Sequence, residues 1–161
     1  MTWDLPSPFI HARAAQERDI DGYGHVNNAV YITWLDDCAW AHSTALGLAA
    51  GDCRSLDRGM AVWRTQVNYL LPVLAGEEVE VGTWIVFNDQ RLRVDRRFQV
   101  RRKRDGETVL RALIHYVCIE LSSGRARRMP PQFPGAYAVR ADVRAAIDAE
   151  TTPFQPGVET R

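Results

Sequence analysis

The hydrophobic positions of this chain change their period once, near Gly59. Before that point, from Asn28 onward, Tyr31, Trp34, Leu35, Cys38, Ala41, Ala45 and Leu46 recur three or four residues apart, with Asp36, Asp37 and Ser43 between them. That spacing predicts an amphipathic helix of about five turns. Asn27 or Asn28 is a natural N-cap, and Gly47 or Gly51 can supply the left-handed residue that ends it. After Gly59, the stretches 60–71, 77–87, 91–102 and 108–121 are rich in Val, Ile, Trp, Tyr and Phe, and turn signals at Pro72, Gly76, Asn88-Asp89 and Asp105-Gly106 divide them. They predict four antiparallel strands.

Within these strands the alternation assigns faces. Val79, Val81, Ile85 and Phe87 share one side of the second. In the third, Leu92, Val94, Phe98 and Val100 oppose Arg91, Arg93, Asp95, Arg97 and Arg101, so each strand is expected to bury one face. The stretch 108–121 is apolar on both sides and is expected to lie centrally in the sheet. Residues 9–16 predict a further, weaker strand, and 18–25 a polar loop holding Gly22 and Gly24. Residues 138–149 predict a peripheral helix, with a frayed tail from Thr151. One long helix and about five strands make an α+β class in which the sheet covers the helix. The pattern leaves strand order open, and also whether the sheet ends in one chain or continues into another.

Composition narrows the class further. At 161 residues, 46% hydrophobic and 25% charged, the chain suits one domain, 1–161, with a real core. Twenty basic residues balance twenty acidic ones, giving net charge +0, so nucleic acid and membrane surfaces are not expected partners. The start lacks the basic and apolar regions of a secretory signal, and no stretch approaches the roughly 20 apolar residues of a membrane span. Cys38, Cys53 and Cys118 are odd in number and have no C-x-x-C spacing, so neither a disulfide framework nor a zinc site is expected. A reducing cytoplasm fits.

The densest chemistry lies in Asp21-Gly-Tyr-Gly-His-Val-Asn-Asn-Ala-Val-Tyr31, a carboxylate in a glycine-containing loop just before the helix. A loop carboxylate can act as base or nucleophile. The helix start behind it offers unpaired N–H groups and a positive dipole end to a carbonyl oxygen, which points to acyl transfer. These residues resemble the signature of the hotdog-fold acyl-CoA thioesterases of the 4-hydroxybenzoyl-CoA thioesterase-like family. Tyr69-Leu70-Leu71-Pro72 with Gly76-Glu77 resembles that family's second recurring element. The strand run to Cys118 and residues 124–130 resemble its C-terminal half, so the likeness covers about residues 8–132 and leaves 133–161 as peripheral helix and tail.

The resemblance implies a sheet wrapped around one long helix, and two subunits that join their sheets edge to edge, as a dimer or a tetramer, with sites between them. It implies that Asp21 attacks the thioester carbonyl or activates water, and that the backbone N–H of Asn28 polarises that carbonyl. His25 and Asn27 would line the site, and Arg91 would meet pantetheine or nucleotide. No cofactor is implied, coenzyme A being part of the substrate. Each residue also has a structural reading. Asp21 can close an Asx-turn or cap the helix, and His25 can be a solvated loop residue. Of Asp36 and Asp37, at most one can point at a site. Cys38 suits packing, and Trp34, Trp63 and Trp84 suit core or interface. His11, His42 and His115 have no metal-ligand spacing. The function expected is acyl-CoA hydrolysis to free acid and coenzyme A. The alternatives are a noncatalytic module binding acyl-CoA or acyl carrier protein and, behind it, an enoyl-thioester hydratase of the same fold.

Overall fold

The period of two after Gly59 builds four long strands. In the computed structural model, which describes residues 3–151 and Phe154, these are β2 (Arg58–Tyr69), β3 (Glu78–Asn88), β4 (Arg93–Arg102) and β5 (Thr108–Glu120). The weak N-terminal strand is β1 (Phe9–Ala14). All pairings are antiparallel, in the order β1-β3-β4-β5-β2, so β1 and β2 are the two sheet edges and β5 is interior, as its two apolar faces predict. The long helix α1 (Asn28–Ala45) crosses from β1 to β2 in sequence and packs on the sheet.

The ends of α1 are set by residues the sequence marks. Asn27 is the N-cap, with its side-chain oxygen accepting the Ala29 N–H at 2.9 Å, and Gly47 follows the last turn at φ 83°. Val26 and Tyr31, at the two positions of a hydrophobic staple, are both buried in the same cluster. The buried stripe is Tyr31, Trp34, Leu35, Cys38, Ala39 and Ser43, so it turns toward Ser43 at its C-terminal end and leaves Ala45 exposed, against the expected stripe. It meets Val79, Val81, Phe98, Val100, Leu110 and Ala112 from the sheet.

Two further sequence expectations are corrected. Phe87 does not share the buried side of β3, because the register shifts between Ile85 and Phe87; the bulge turns Phe87 outward, 42% exposed. Strands β3 and β4 do not bury one face each: Gly82 to Ile85 and Arg96 to Val100 are buried continuously. The cause is a second layer, in which Leu5, Trp84 and Val143 form a cluster on the sheet's other side. Val143 comes from α4 (Ala141–Asp148), the expected peripheral helix, and Arg97 is held there by Glu150. Two further short helices, α2 (Ala50–Ser55) and α3 (Gln132–Ala136), have no periodic signature because they are shorter than two turns. Most of the tail from Thr151 lies outside the described residues.

Candidate active site

The loop before α1 is a miniature hairpin. Asn27 N donates to Asp19 O at 2.8 Å, Ile20 and Val26 form an antiparallel bridge, and Asp21 N donates to His25 O at 2.8 Å. Gly24 closes the tip at φ 80°, a conformation that L side chains rarely adopt. Val26 N donates to Val73 O, which ties the hairpin to the segment following β2. The Asp21 carboxylate is pinned through one oxygen only. Its Oδ1 accepts the N–H of Tyr23 at 2.8 Å and of His25 at 3.4 Å, whereas Oδ2 has no hydrogen bond within the described chain. The Asx-turn is therefore present and leaves one oxygen for other work.

Asn28 is the first helical residue, and its N–H has no acceptor within the described chain. Its carbonyl accepts the Tyr69 hydroxyl at 3.0 Å, which fastens the first turn to the end of β2. Tyr69 also packs edge-on against Tyr31. Burial, the main cause, pushes the Tyr31 hydroxyl up to about 12, so it stays protonated and is a structural group. Asp21, Asn27 and Asn28 are thus brought together at one end of the sheet. His25 sits with them, exposed, at the hairpin tip. Arg91 does not join them within one chain. It lies in the turn between β3 and β4, whereas the hairpin lies by the other end of β3, where Ala15 N meets Glu77 O. The eleven residues of β3 separate the two by roughly 35 Å.

The two helix aspartates separate cleanly. Asp37 pairs with Arg13 at 2.7 Å and is structural. Asp36 lines a small cavity between α1 and β2, and burial together with the Asp37 charge raises its pKa. Cys38 donates to Val81 O and is pushed by burial to about 12, so it is packing and not a nucleophile. Among the described residues no group of three or more His, Cys, Asp or Glu is placed to hold a metal ion. No described helix is long and apolar enough to cross a membrane.

A polar network missed in the sequence borders the same cavity through Arg96 and Ser43. Arg96 follows the apolar register of Val94, Phe98 and Val100 and is buried with them. That parity was the available signal. Arg96 Nη1 lies 2.8 Å from His42 Nδ1, and since a guanidinium only donates, Nδ1 accepts and His42 is neutral. Burial first, then the Arg96 charge, hold the His42 pKa down at about 4. The unfolded chain takes up this proton near 6.5 and the folded chain near 4, so between those values the unfolded state binds more protons and stability falls as pH drops. His42→Gln keeps an acceptor for Arg96 and removes the titration. From about pH 7 to about pH 4 it should therefore lose roughly 2–3 kcal/mol less than the parent protein. Urea midpoints of both proteins at the two pH values check this; equal losses would refute it.

Similarity to known proteins places this geometry. Residues 16–145 match the family model of the thioesterase-like superfamily. The chain belongs to that superfamily. A curated relative, Protein THEM6 of Danio rerio, is 33% identical over 87 residues, 54% of this chain and 42% of that protein, so the chain spans less than half of its relative's length. A Staphylococcus aureus protein solved in complex with CoA superposes with TM-score 0.77 at 18% identity, covering 95% of this chain and 92% of its own. A 1,4-dihydroxy-2-naphthoyl-CoA thioesterase from Synechocystis gives 0.73 at 18%, over 81% and 96%. A thioesterase from Thermus thermophilus complexed with coenzyme A and Zn gives 0.68 at 25%, over 81% and 97%. The α+β class and the hotdog-type sheet are those of this superfamily.

Proposed function

We propose that the protein hydrolyses an acyl-CoA thioester to the free acid and coenzyme A. The observation that carries this reading is the pairing of a half-tethered carboxylate with an unpaired helix-start N–H. Among the described residues Asp21 Oδ2 has no hydrogen bond while Oδ1 holds the turn, and the Asn28 N–H has no acceptor. A thioester carbonyl becomes an oxyanion in the tetrahedral transition state. A fixed N–H stabilises that charge without reorganising, and losing one such donor costs about 3 kcal/mol. The carboxylate attacks the carbonyl carbon or takes a proton from the water that does. Superfamily membership and two CoA-bound structural neighbours support the substrate class.

Asp21 sits at a tip where Tyr23 is 89% exposed, which is too open for a closed site in a single chain. In this reading a second copy completes it by pairing along β2. That strand has a free edge, and Trp63, Tyr69 and Leu71 on and beside it are exposed. Such pairing can also bring Arg91 from one copy toward the hairpin of the other. Light scattering at assay concentration is expected to give a dimer or a tetramer; an active monomer would count against this arrangement.

Hydrolysis of short, long and aromatic acyl-CoAs, followed by free thiol, tests the function. Parent protein should release thiol from part of the panel, and Asp21→Ala, folded by circular dichroism, should not. Equal rates in the two would defeat the assignment. A noncatalytic module would bind acyl-CoA with no thiol released at all. An enoyl-thioester hydratase would change enoyl absorbance instead.

A further inference from the structure

Three arginines of the described chain are buried, and two of them have carboxylate partners: Arg97 bonds Glu150 at 2.8 Å, and Arg102 bonds Asp105 at 2.8 Å. Arg96, 3% exposed, differs. Its neighbours are the neutral His42, the Ser43 hydroxyl at 3.0 Å from Nη2, and the Tyr137 ring, 5.5 Å from the guanidinium carbon. Among the described residues no carboxylate pairs with it. A buried charge without a counter-charge is costly, and neutral hydrogen bonds offset only part of that cost. Of its five N–H donors, His42 and Ser43 take two, and at least two remain beside the Tyr137 hydroxyl.

Arg96 also lines a cavity of about 60 Å³. Its buried walls include Val94, Tyr116 and Tyr137, and its exposed ones are Asp36, Trp40 and Val62, which mark the way in. Asp36 makes no hydrogen bond or ion pair to Arg96. This space admits a carboxylate head and not an acyl chain, whose body would rest on the exposed faces of Trp40 (45%) and Val62 (50%). His42 and Ser43 stand fourteen and fifteen residues along α1 from Asn28, roughly 21 Å. A carboxylate held here is therefore not the reacting carbonyl of the same chain's site.

We infer that Arg96 is the receptor for an aliphatic carboxylate entering between Trp40 and Val62, carried either at the far end of an acyl substrate or by a free acid. Only the first source rests on the thioesterase reading. A planar guanidinium with donors to spare matches a carboxylate better than any neutral group.

Calorimetric titration with hexanoate, with hexanol as the uncharged control, tests the receptor directly. Hexanoate should bind at least tenfold tighter than hexanol, and Arg96→Met, matched in length, should abolish the difference. Should Arg96→Met fail to fold, Val62→Trp at the exposed rim must give the same loss with Arg96 in place. Hexanoate no tighter than hexanol in the parent, or a difference that survives the substitutions, overturns the inference. Turnover of adipoyl-CoA and hexadecanedioyl-CoA, each against its methyl-ended counterpart, identifies the source. An Arg96-dependent preference of at least tenfold in kcat/KM at either length assigns it to the acyl group. Equal rates at both lengths, with hexanoate bound at Arg96, assign it to the free acid. If no thioester is turned over while hexanoate still binds, the thioesterase reading fails and the carboxylate receptor stands.

Discussion

Asp21→Asn should lower kcat/KM on the best acyl-CoA by about 10²–10⁴-fold, the range typical for loss of a positioned general base, with an unchanged circular dichroism spectrum. The exchange is informative because the carboxylate has two separable tasks. Oδ1 accepts the Tyr23 and His25 N–H groups and shapes the hairpin. Asparagine can place its amide oxygen there and preserve that shape, while the atom replacing Oδ2 becomes an NH₂ that can neither attack a carbonyl nor take a proton from water. Alanine removes both tasks. A catalytic Asp21 therefore predicts asparagine and alanine variants about equally inactive. A turn-forming Asp21 predicts that asparagine restores most of what alanine loses. Free-thiol release by the three proteins, with urea midpoints as the control for folding, decides between them.

Asn28→Pro should reduce kcat by about 10²–10³-fold, the usual consequence of removing one oxyanion donor, while Asn28→Ala stays near parent activity. Proline deletes the N–H that the proposal uses and leaves the carbonyl that accepts from Tyr69. Asn28 is the first residue of α1, where proline is well tolerated because no intrahelical bond uses its N–H. The preceding residue suits it as well, since Asn27 is extended at φ −60°, ψ 138°, within the region that a residue before proline favours. Stability should accordingly change by no more than about 1 kcal/mol. A proline variant as active as the alanine one would remove the helix-start N–H from the mechanism.

The two exchanges address different atoms of one short stretch, and that stretch was legible because its determinants are local. An N-cap, a left-handed glycine and a carboxylate that bonds N–H groups two and four residues ahead are all set within Asp21–Ala29. The Arg96 network was not legible in the same way. Its partners His42, Ser43 and Tyr137 lie 54, 53 and 41 residues away in sequence, and only the parity of position 96 among Val94, Phe98 and Val100 hinted at it. Similarly, alternation could assign Phe87 to the buried side but could not announce the bulge that turns it out. Asp36 and Asp37 look alike as neighbours; they differ because Arg13 on β1 reaches one of them and the cavity wall holds the other.

By itself, then, the sequence determined the α1 helix and the candidates for its caps, the five strands, and the loop that carries Asp21 ahead of the unpaired N–H groups of the helix start. Each of these follows from side-chain period or from hydrogen bonds spanning a few residues. The tertiary structure alone decided the order β1-β3-β4-β5-β2, the second layer of Leu5, Trp84 and Val143, and the burial of Arg96 without a carboxylate. These depend on which distant surfaces exclude water from one another. Long-range packing sets that exclusion, and no local pattern of residues encodes it.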